Sequence, residues 1–144
     1  MQTNYPFANK YRNATSPSAQ NYIFIRLADI LLLKAEALNE TGDVAGAAAL
    51  VNQIRTRVSL PNTTASTQDA MRLAIEKERR LELAFEGIRW FDLKRTGRAI
   101  PVINSVTEFG GVGMSYNLTQ NKLLWPIPQS ELDKSANLTQ NPGY

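Results

Sequence analysis

Cysteine and histidine are both absent from the 144-residue sequence, and this double absence excludes several classes of protein. Without cysteine there is no disulfide framework, and without either residue there is no Cys- or His-bearing zinc site. A Ser-His-Asp triad and a Cys-His dyad are excluded for the same reason. The sequence therefore predicts no metal centre and no cofactor, and none of these nucleophilic mechanisms.

A strong excess of charge of one sign is also absent. Sixteen basic residues are balanced by 13 acidic residues, which gives a net charge of +3. The two signs are interspersed, whereas a nucleic-acid-binding surface needs clustered basic residues, so no nucleic acid partner is expected. The hydrophobic content of 43% is ordinary for a globular protein, and the length predicts a single domain covering residues 1–144.

Long hydrophobic runs are absent as well. The N-terminal residues contain no apolar segment of the kind found in a signal peptide. The most apolar stretch, residues 23–38, is interrupted by charged residues and cannot span a membrane. These features alone indicate either an intracellular protein or a piece of a longer chain.

Helical spacing of apolar residues predicts a mainly α, that is all-α, fold. Residues 1–22 form a polar lead-in loop, and residues 23–58 form a pair of helices. The first helix covers residues 23–40 and ends at Gly42, which suits the left-handed position after a helix. The second helix runs from Val44 to about Val58, with Asp43 as its N-cap.

The second half of the chain divides into a helical part and a loop-rich part. Residues 66–97 predict a long charged helix, capped by Ser66 or Thr67 and reaching Gly87, and then a short helix over residues 88–95. Residues 98–144 are predicted to form an irregular tail. It is expected to be loop-like over residues 99–121 and extended over residues 123–128, because a proline confines the residue before it to extended backbone. At most two helical turns begin at Ser130.

The helix pair over residues 23–58 resembles one tetratricopeptide unit. The tight turn at Gly42 and Asp43, with alanines on both helices, lets the two backbones approach closely. A generic helical hairpin within a larger α domain is the alternative interpretation. Since one repeat cannot bury its own apolar face, the tetratricopeptide interpretation implies further helices beside it.

Three carboxylates, Glu78, Glu82 and Glu86, stand four residues apart and are predicted to line one row of the long helix. Such a row could form a di-metal site or supply the acid and nucleophile of a glycosidase, but metal sites in helical bundles pair Glu with His. An internal ion-pair lattice is the favoured interpretation, because arginine forks suit partly buried carboxylates. The arginines expected to form ion pairs with these carboxylates and with Asp92 are Arg79, Arg80, Arg89 and Arg95.

Aromatic residues divide into those expected in the core and those expected on loops. Trp90 and Phe91 lie among apolar neighbours in a predicted helix, and Trp125 is also expected to pack. Loop aromatics can instead stack on sugar rings or on partner surfaces. The candidate ligand-binding residues are Tyr11, Phe109 and Tyr116.

The segment ERRLELAFEGIRWFDLKR resembles the signature of the SusD/RagB family of glycan-binding outer-membrane lipoproteins. Three further blocks agree in order: the lead-in NKYRN, IRLADILLLKAEALNE followed by NQIRTRV, and LLWPIPQSELDKSANLTQNPGY. The resemblance runs from about Lys10 to Tyr144, and because family members are several times longer it places the chain at their C-terminal part. The residues that match the signature, interpreted as structural, are Glu78, Arg79, Glu82, Glu86, Arg89, Trp90 and Asp92.

This resemblance implies an α fold of tetratricopeptide-like helix pairs and a non-catalytic role. Family members capture an oligosaccharide or another nutrient at the surface of the outer membrane and hand it to a SusC-type TonB-dependent transporter. They reach the membrane through an N-terminal lipid anchor, which this sequence does not contain. A tetratricopeptide-like protein-interaction module without a small-molecule ligand is the alternative, and a glycoside hydrolase is a third.

Overall fold

The computed structural model describes Lys10, residues 21–107, Gly111, residues 113–114 and residues 116–144. Within these residues it contains α-helices, one short 3-10 helix over Asn121–Leu123 and no β-strand, which confirms the predicted all-α fold. An isolated antiparallel bridge joins Thr107 and Gly113. The helices are α1 (Leu27–Glu40), α2 (Val44–Arg57), α3 (Gln68–Glu82), α4 (Arg89–Arg95), α5 (Ala99–Asn104) and α6 (Gln129–Leu132).

The chain forms two compact units, Met1–Arg89 and Trp90–Tyr144. The first unit contains the three long helices α1 to α3, and the second contains α5, α6 and the loop-rich tail. The expectation of a single domain over residues 1–144 remains a prediction.

The core of the first unit lies where α1, α2 and α3 meet. Helix α1 turns one side inward through residues at positions 28, 32, 35 and 39, a spacing that keeps them on one helical face. Alanines from α1 and α2 within this core leave room for the two helices to approach closely. The buried hydrophobic residues of the core are Ala28, Leu32, Ala35, Ala47, Val51, Ile54, Met71 and Ile75.

The turn between α1 and α2 has the predicted conformation. Gly42 has φ +92°, the left-handed region that favours glycine. The side chain of Asp43 accepts a 2.8 Å hydrogen bond from the backbone N–H of Gly46, which confirms Asp43 as the cap of α2. A helix C-terminus closed by glycine and an N-terminus capped by aspartate therefore fix the hairpin.

A reciprocal pair of hydrogen bonds joins the end of α1 to the start of α3. The buried side chain of Asn39 donates to the carbonyl of Gln68 at 3.0 Å, and the side chain of Gln68 donates to the carbonyl of Asn39 at 2.7 Å. Of the two predicted caps, Thr67 is the one observed, since its hydroxyl accepts from the N–H of Ala70. Arg72 adds a bidentate ion pair with Glu40 on the surface of the same junction.

Two helix boundaries differ from the prediction. Helix α1 begins at Leu27 and not at residue 23, because Arg26 has extended φ and ψ. Helix α3 ends at Glu82 and does not reach Gly87. The carbonyl of Glu82, which a longer helix would use, accepts hydrogen bonds from the side chains of Arg26 and Lys10, each at 2.6 Å. Phe85 then takes φ +67°, which a right-handed helix does not accommodate.

The second unit contains a helix where the sequence predicted a loop. Residues 99–121 were expected to be irregular, but α5 occupies Ala99–Asn104. Pro101 lies in the first turn of α5, where its missing N–H has no intrahelical partner to lose. The side chain of Asn104 then bonds both backbone groups of Leu118, at 2.8 and 3.0 Å. The short α6 agrees with the one or two turns predicted there.

Gly42→Val is predicted to destabilise the protein. A Cβ at this position would meet nothing within 4 Å, so the whole effect is the cost of holding a β-branched residue at positive φ, about 1–2 kcal/mol. Gly42→Asn is the matched control, because asparagine tolerates the left-handed region. Denaturant unfolding of the three proteins checks this, and an unchanged midpoint for Gly42→Val would contradict it.

Candidate functional site

The carboxylates of Glu78, Glu82 and Glu86 form the charged site that the sequence singled out. Glu78 and Glu82 lie one turn apart on α3, as predicted. Glu86 lies beyond the end of the helix and reaches the same region through the turn at residues 83–87, so the prediction that all three line one helical row is wrong. Glu78 and Glu86 are both buried, at 4% and 9% exposed.

Arg26, the residue immediately before α1, joins two of these carboxylates. Its guanidinium donates to both carboxylate oxygens of Glu86, with the shortest contacts at 2.9 Å. It also donates to the Glu82 carboxylate at 2.7 Å and to the Glu82 carbonyl at 2.6 Å. Each guanidinium nitrogen has at least one acceptor, and the start of α1 is thereby fastened to the end of α3.

Two further cations complete this cluster. Arg57, at the end of α2, donates to both carboxylate oxygens of Glu82 at 2.8 Å, and Lys10 donates to Glu86 at 2.5 Å. A cavity of about 370 Å³ lies here. Its lining combines these charged groups with two apolar side chains: Lys10, Ile23, Arg26, Arg57, Leu81, Glu82 and Glu86.

Two further ion pairs, each with a mostly buried carboxylate, join the three helices. Arg55 of α2 donates to Glu78 at 2.7 Å and also to the carbonyl of Pro61, at 2.7 Å. Arg79 of α3 lies with its guanidinium 2.8 Å from the carboxylate of Asp29 on α1. Buried charges of this kind must be paired, because removing one partner leaves the other uncompensated in the interior.

The remaining signature residues are also engaged in structural contacts. Arg89 donates to Glu76 at 2.8 Å within the first unit. In the second unit, the buried Asp92 accepts from Arg95 at 2.9 Å, as predicted. Trp90 is half-buried, and the ammonium of Lys94 lies 5.9 Å from its ring centroid.

The protonation of Glu86 argues against acid catalysis. Burial acts to raise its pKa, but hydrogen bonds from Arg26 and Lys10 together outweigh that effect and hold the pKa below its ordinary value of 4.5. The bonds to Glu86 and Glu82 in turn raise the pKa of the Arg26 guanidinium, against the opposing effect of burial. A glycosidase acid needs a raised pKa so that it carries a proton near neutral pH. Glu86 has the opposite perturbation.

The partners of the carboxylate row differ from those predicted. The three carboxylates form ion pairs with Arg26, Arg55 and Arg57. Two of the predicted arginines pair elsewhere: Arg79 with Asp29, and Arg89 with Glu76. Arg80 is exposed. The sequence contained a signal for the correct partners in the arginines of IRLADI and NQIRTRV, but sequence spacing cannot show which distant helix faces which.

The aromatic candidates have mixed outcomes. Tyr116 is exposed, whereas Tyr11 and Phe109 lie outside the described residues. The expectation that Phe91 and Trp125 pack into the core is wrong, because they are 68% and 79% exposed.

Within the part of the chain that the structure describes, no group of three or more Asp and Glu residues has an arrangement that could hold a metal ion. None of the helices in that part combines the length and the apolar character needed to cross a membrane.

Comparison with known proteins gives consistent matches. The family model described as "SusD family" matches residues 1–144. The SusD-like protein P38 of Formosa agariphila is 39% identical over 148 residues, which cover 94% of this chain and 28% of the relative. The starch-binding protein SusD of Bacteroides thetaiotaomicron is 33% identical over 92% of this chain and 23% of its own length. The chain thus spans less than a third of the curated relatives it matches.

Solved structures show the same likeness. A SusD-like protein from Bacteroides fragilis has a TM-score of 0.72 and 36% identity, over 86% of this chain and 26% of the other. The surface glycan-binding protein A of Bacteroides uniformis has a TM-score of 0.65 and 34% identity, over 83% of this chain and 27% of the other.

Glu82→Gln is predicted to destabilise the protein by about 1–3 kcal/mol, because Arg26 and Arg57 lose a charged acceptor at a mostly buried position. Ligand affinity, corrected for the folded fraction, is expected to stay unchanged. Glu131→Gln is the matched control, since it removes an exposed pair with Lys134 and should cost less than about 0.5 kcal/mol. Denaturant unfolding and ligand titration check both expectations, and lost binding in a folded Glu82→Gln protein would contradict the structural assignment.

Proposed function

We propose that this chain, which belongs to the SusD family, is part of a non-catalytic cell-surface protein that binds a nutrient, most specifically a glycan. The observation that carries the proposal is the family match over residues 1–144, together with relatives named for binding starch and glycans. Since the chain spans less than a third of those relatives, the proposal concerns the whole protein to which these residues contribute.

The geometry of the carboxylate cluster supports binding over catalysis. A hydrolase needs one carboxyl group that donates a proton and a second that attacks or activates water across a cleft. Here Glu82 and Glu86 share a guanidinium, and the pKa of Glu86 is lowered. Fixed cations thus pair with both carboxylates, an arrangement that stabilises a fold, and the lowered pKa of Glu86 leaves that group without the proton that an acid must carry.

The proposal extends to a partner and a location. The protein delivers its ligand to a SusC-type TonB-dependent transporter in the outer membrane, and a lipid anchor holds it at the cell surface. The support for this step is the family resemblance carried by the signature segment around Glu78 to Arg95.

A tetratricopeptide-like protein-interaction module is the second candidate function. One observation favours it: Leu27, Ile30 and Leu33 are exposed on α1, outside the buried face of that helix. Exposed apolar side chains grouped on one helix and bordered by polar residues are typical of a protein-interaction surface.

A binding experiment separates these functions. The protein, expressed from its complete reading frame, is run on native gels cast with soluble starch, laminarin, alginate, pectin or xylan. We expect at least one polysaccharide to retard it, without release of reducing sugar. Titration calorimetry with oligosaccharides of the retarding polysaccharide then measures the affinity.

Three outcomes decide the assignment. Migration unaffected by any of the five polysaccharides would contradict glycan binding and favour the interaction module. Release of reducing ends would contradict the non-catalytic role. Co-purification of a TonB-dependent transporter from detergent-extracted outer membranes supports the delivery step, and its absence would contradict that step alone.

A further inference from the structure

Helix α1 carries exposed apolar side chains on the side that does not face the core. Leu27, Ile30 and Leu33 are 70%, 49% and 38% exposed. Together with the exposed Ala37 they recur at intervals of three or four residues, which places them along one side of the helix. These four residues are called the outer stripe of α1. None of them belongs to the buried face through which α1 packs on α2 and α3.

The apolar exposure begins in the segment before α1. The three side chains of residues 23–25 are apolar, and each is more than half exposed. Their backbone is fastened at both ends: the hydroxyl of Tyr22 donates to the carbonyl of Glu86 at 2.9 Å, and the guanidinium of Arg26 donates to the carboxylate of the same residue. These side chains therefore sit at a fixed place beside the outer stripe, and the described part of the chain does not cover them.

Exposed charge is missing from this surface. Over residues 22–33, all of which the structure describes, no charged side chain is exposed, because Arg26 is half-buried against two glutamates and Asp29 is buried. Lys34 is the first exposed charge after them. Soluble proteins rarely expose contiguous apolar patches, and permanent interfaces resemble a domain core cut in half. The outer stripe thus has the composition of a surface that stays covered.

We propose that the outer stripe of α1 packs against a further helix of the same polypeptide, one that lies outside residues 1–144. The chain spans 28% and 23% of two relatives, so more than two thirds of a protein of their length lies beyond the matched region. Apolar residues three and four apart form a ridge that enters the groove of a neighbouring helix, and the small Ala37 lets the two backbones approach. A single helix pair cannot cover its own outer face.

The absence of exposed charge favours the same polypeptide over a separate protein. A partner that binds and leaves returns its docking surface to water, and the surfaces of such partners are about as polar as the rest of a protein. The inference rests on the outer stripe and on the length of the relatives, and it does not depend on glycan binding. It leaves the stripe unavailable to a separate protein and so counts against the interaction module.

Thiol modification measures whether the stripe is covered. The 144 residues contain no cysteine, so Ile30→Cys introduces one whose modification is read on its own peptide by mass spectrometry. Asp69→Cys is the exposed reference, at 89% side-chain exposure, and Leu32→Cys is the buried reference, at 0%. All three are made in the protein expressed from its complete reading frame and purified as a monomer, as established by light scattering. We expect residue 30 to react with iodoacetamide at least about a hundredfold more slowly than residue 69, as residue 32 does.

Ala37→Cys repeats the measurement at a second position of the stripe with a smaller change of side chain. Circular dichroism and thermal unfolding establish that each variant is folded. We expect residue 37 to be protected to a similar degree as residue 30.

Photo-cross-linking identifies what covers the stripe. Leu27, its most exposed residue, is replaced by p-benzoylphenylalanine, and Asp69 is replaced in the same way as the control. We expect ultraviolet light to join position 27 to a peptide of the same polypeptide outside residues 1–144, and position 69 to form no such link.

The outcomes separate this inference from the proposed function. Residue 30 reacting as fast as residue 69 in the purified monomer would overturn the inference and leave the stripe open to a separate protein. A cross-link from position 27 to a second copy, to a co-purified transporter or to a position within residues 1–144 would also overturn it. Retardation by a polysaccharide is measured independently of these results, so glycan binding can stand where this inference fails.

Discussion

The guanidinium of Arg26 is the contact on which the first unit depends most. Its five hydrogen bonds go to Glu82 and Glu86, so one side chain fastens the residue before α1 to the last turn of α3 and the turn after it. By using the Glu82 carbonyl it also helps to end α3, which allows Phe85 to adopt positive φ and Glu86 to turn back towards the cluster. A helix boundary, a turn and an ion-pair network therefore have one common cause.

This contact also bears on function. Glu82 and Glu86 are ion-paired with Arg26, so the most conspicuous charged motif of the sequence stabilises the fold. The loop-rich second unit shares no residue with this cluster.

Features set by local sequence could be predicted, and features set by distant contacts could not. The Gly42 turn, the Asp43 cap and the helical hairpin follow from residues next to one another in the chain. The carbonyl of Glu82, at the end of α3, is bonded by Arg26, which lies 56 residues earlier. No local sequence pattern around Glu82 could therefore predict where α3 ends. The same limit applies to the partners of the carboxylates. Trp125 is expected to pack because aromatic side chains usually do, but in the structure it is 79% exposed.

A double-mutant cycle tests most directly whether the pairing of Arg26 with the carboxylates holds the fold together. Free energies of unfolding are measured for the wild type, Arg26→Met, Glu86→Gln and the double variant. We expect a coupling of about 1–3 kcal/mol at neutral pH. Because the folded-state pKa of Glu86 lies below its ordinary 4.5, this stabilisation is present above pH 4.5 and is lost as the pH falls through the lower folded value. A coupling of zero at neutral pH, or one that persists after Glu86 is protonated, would contradict the account.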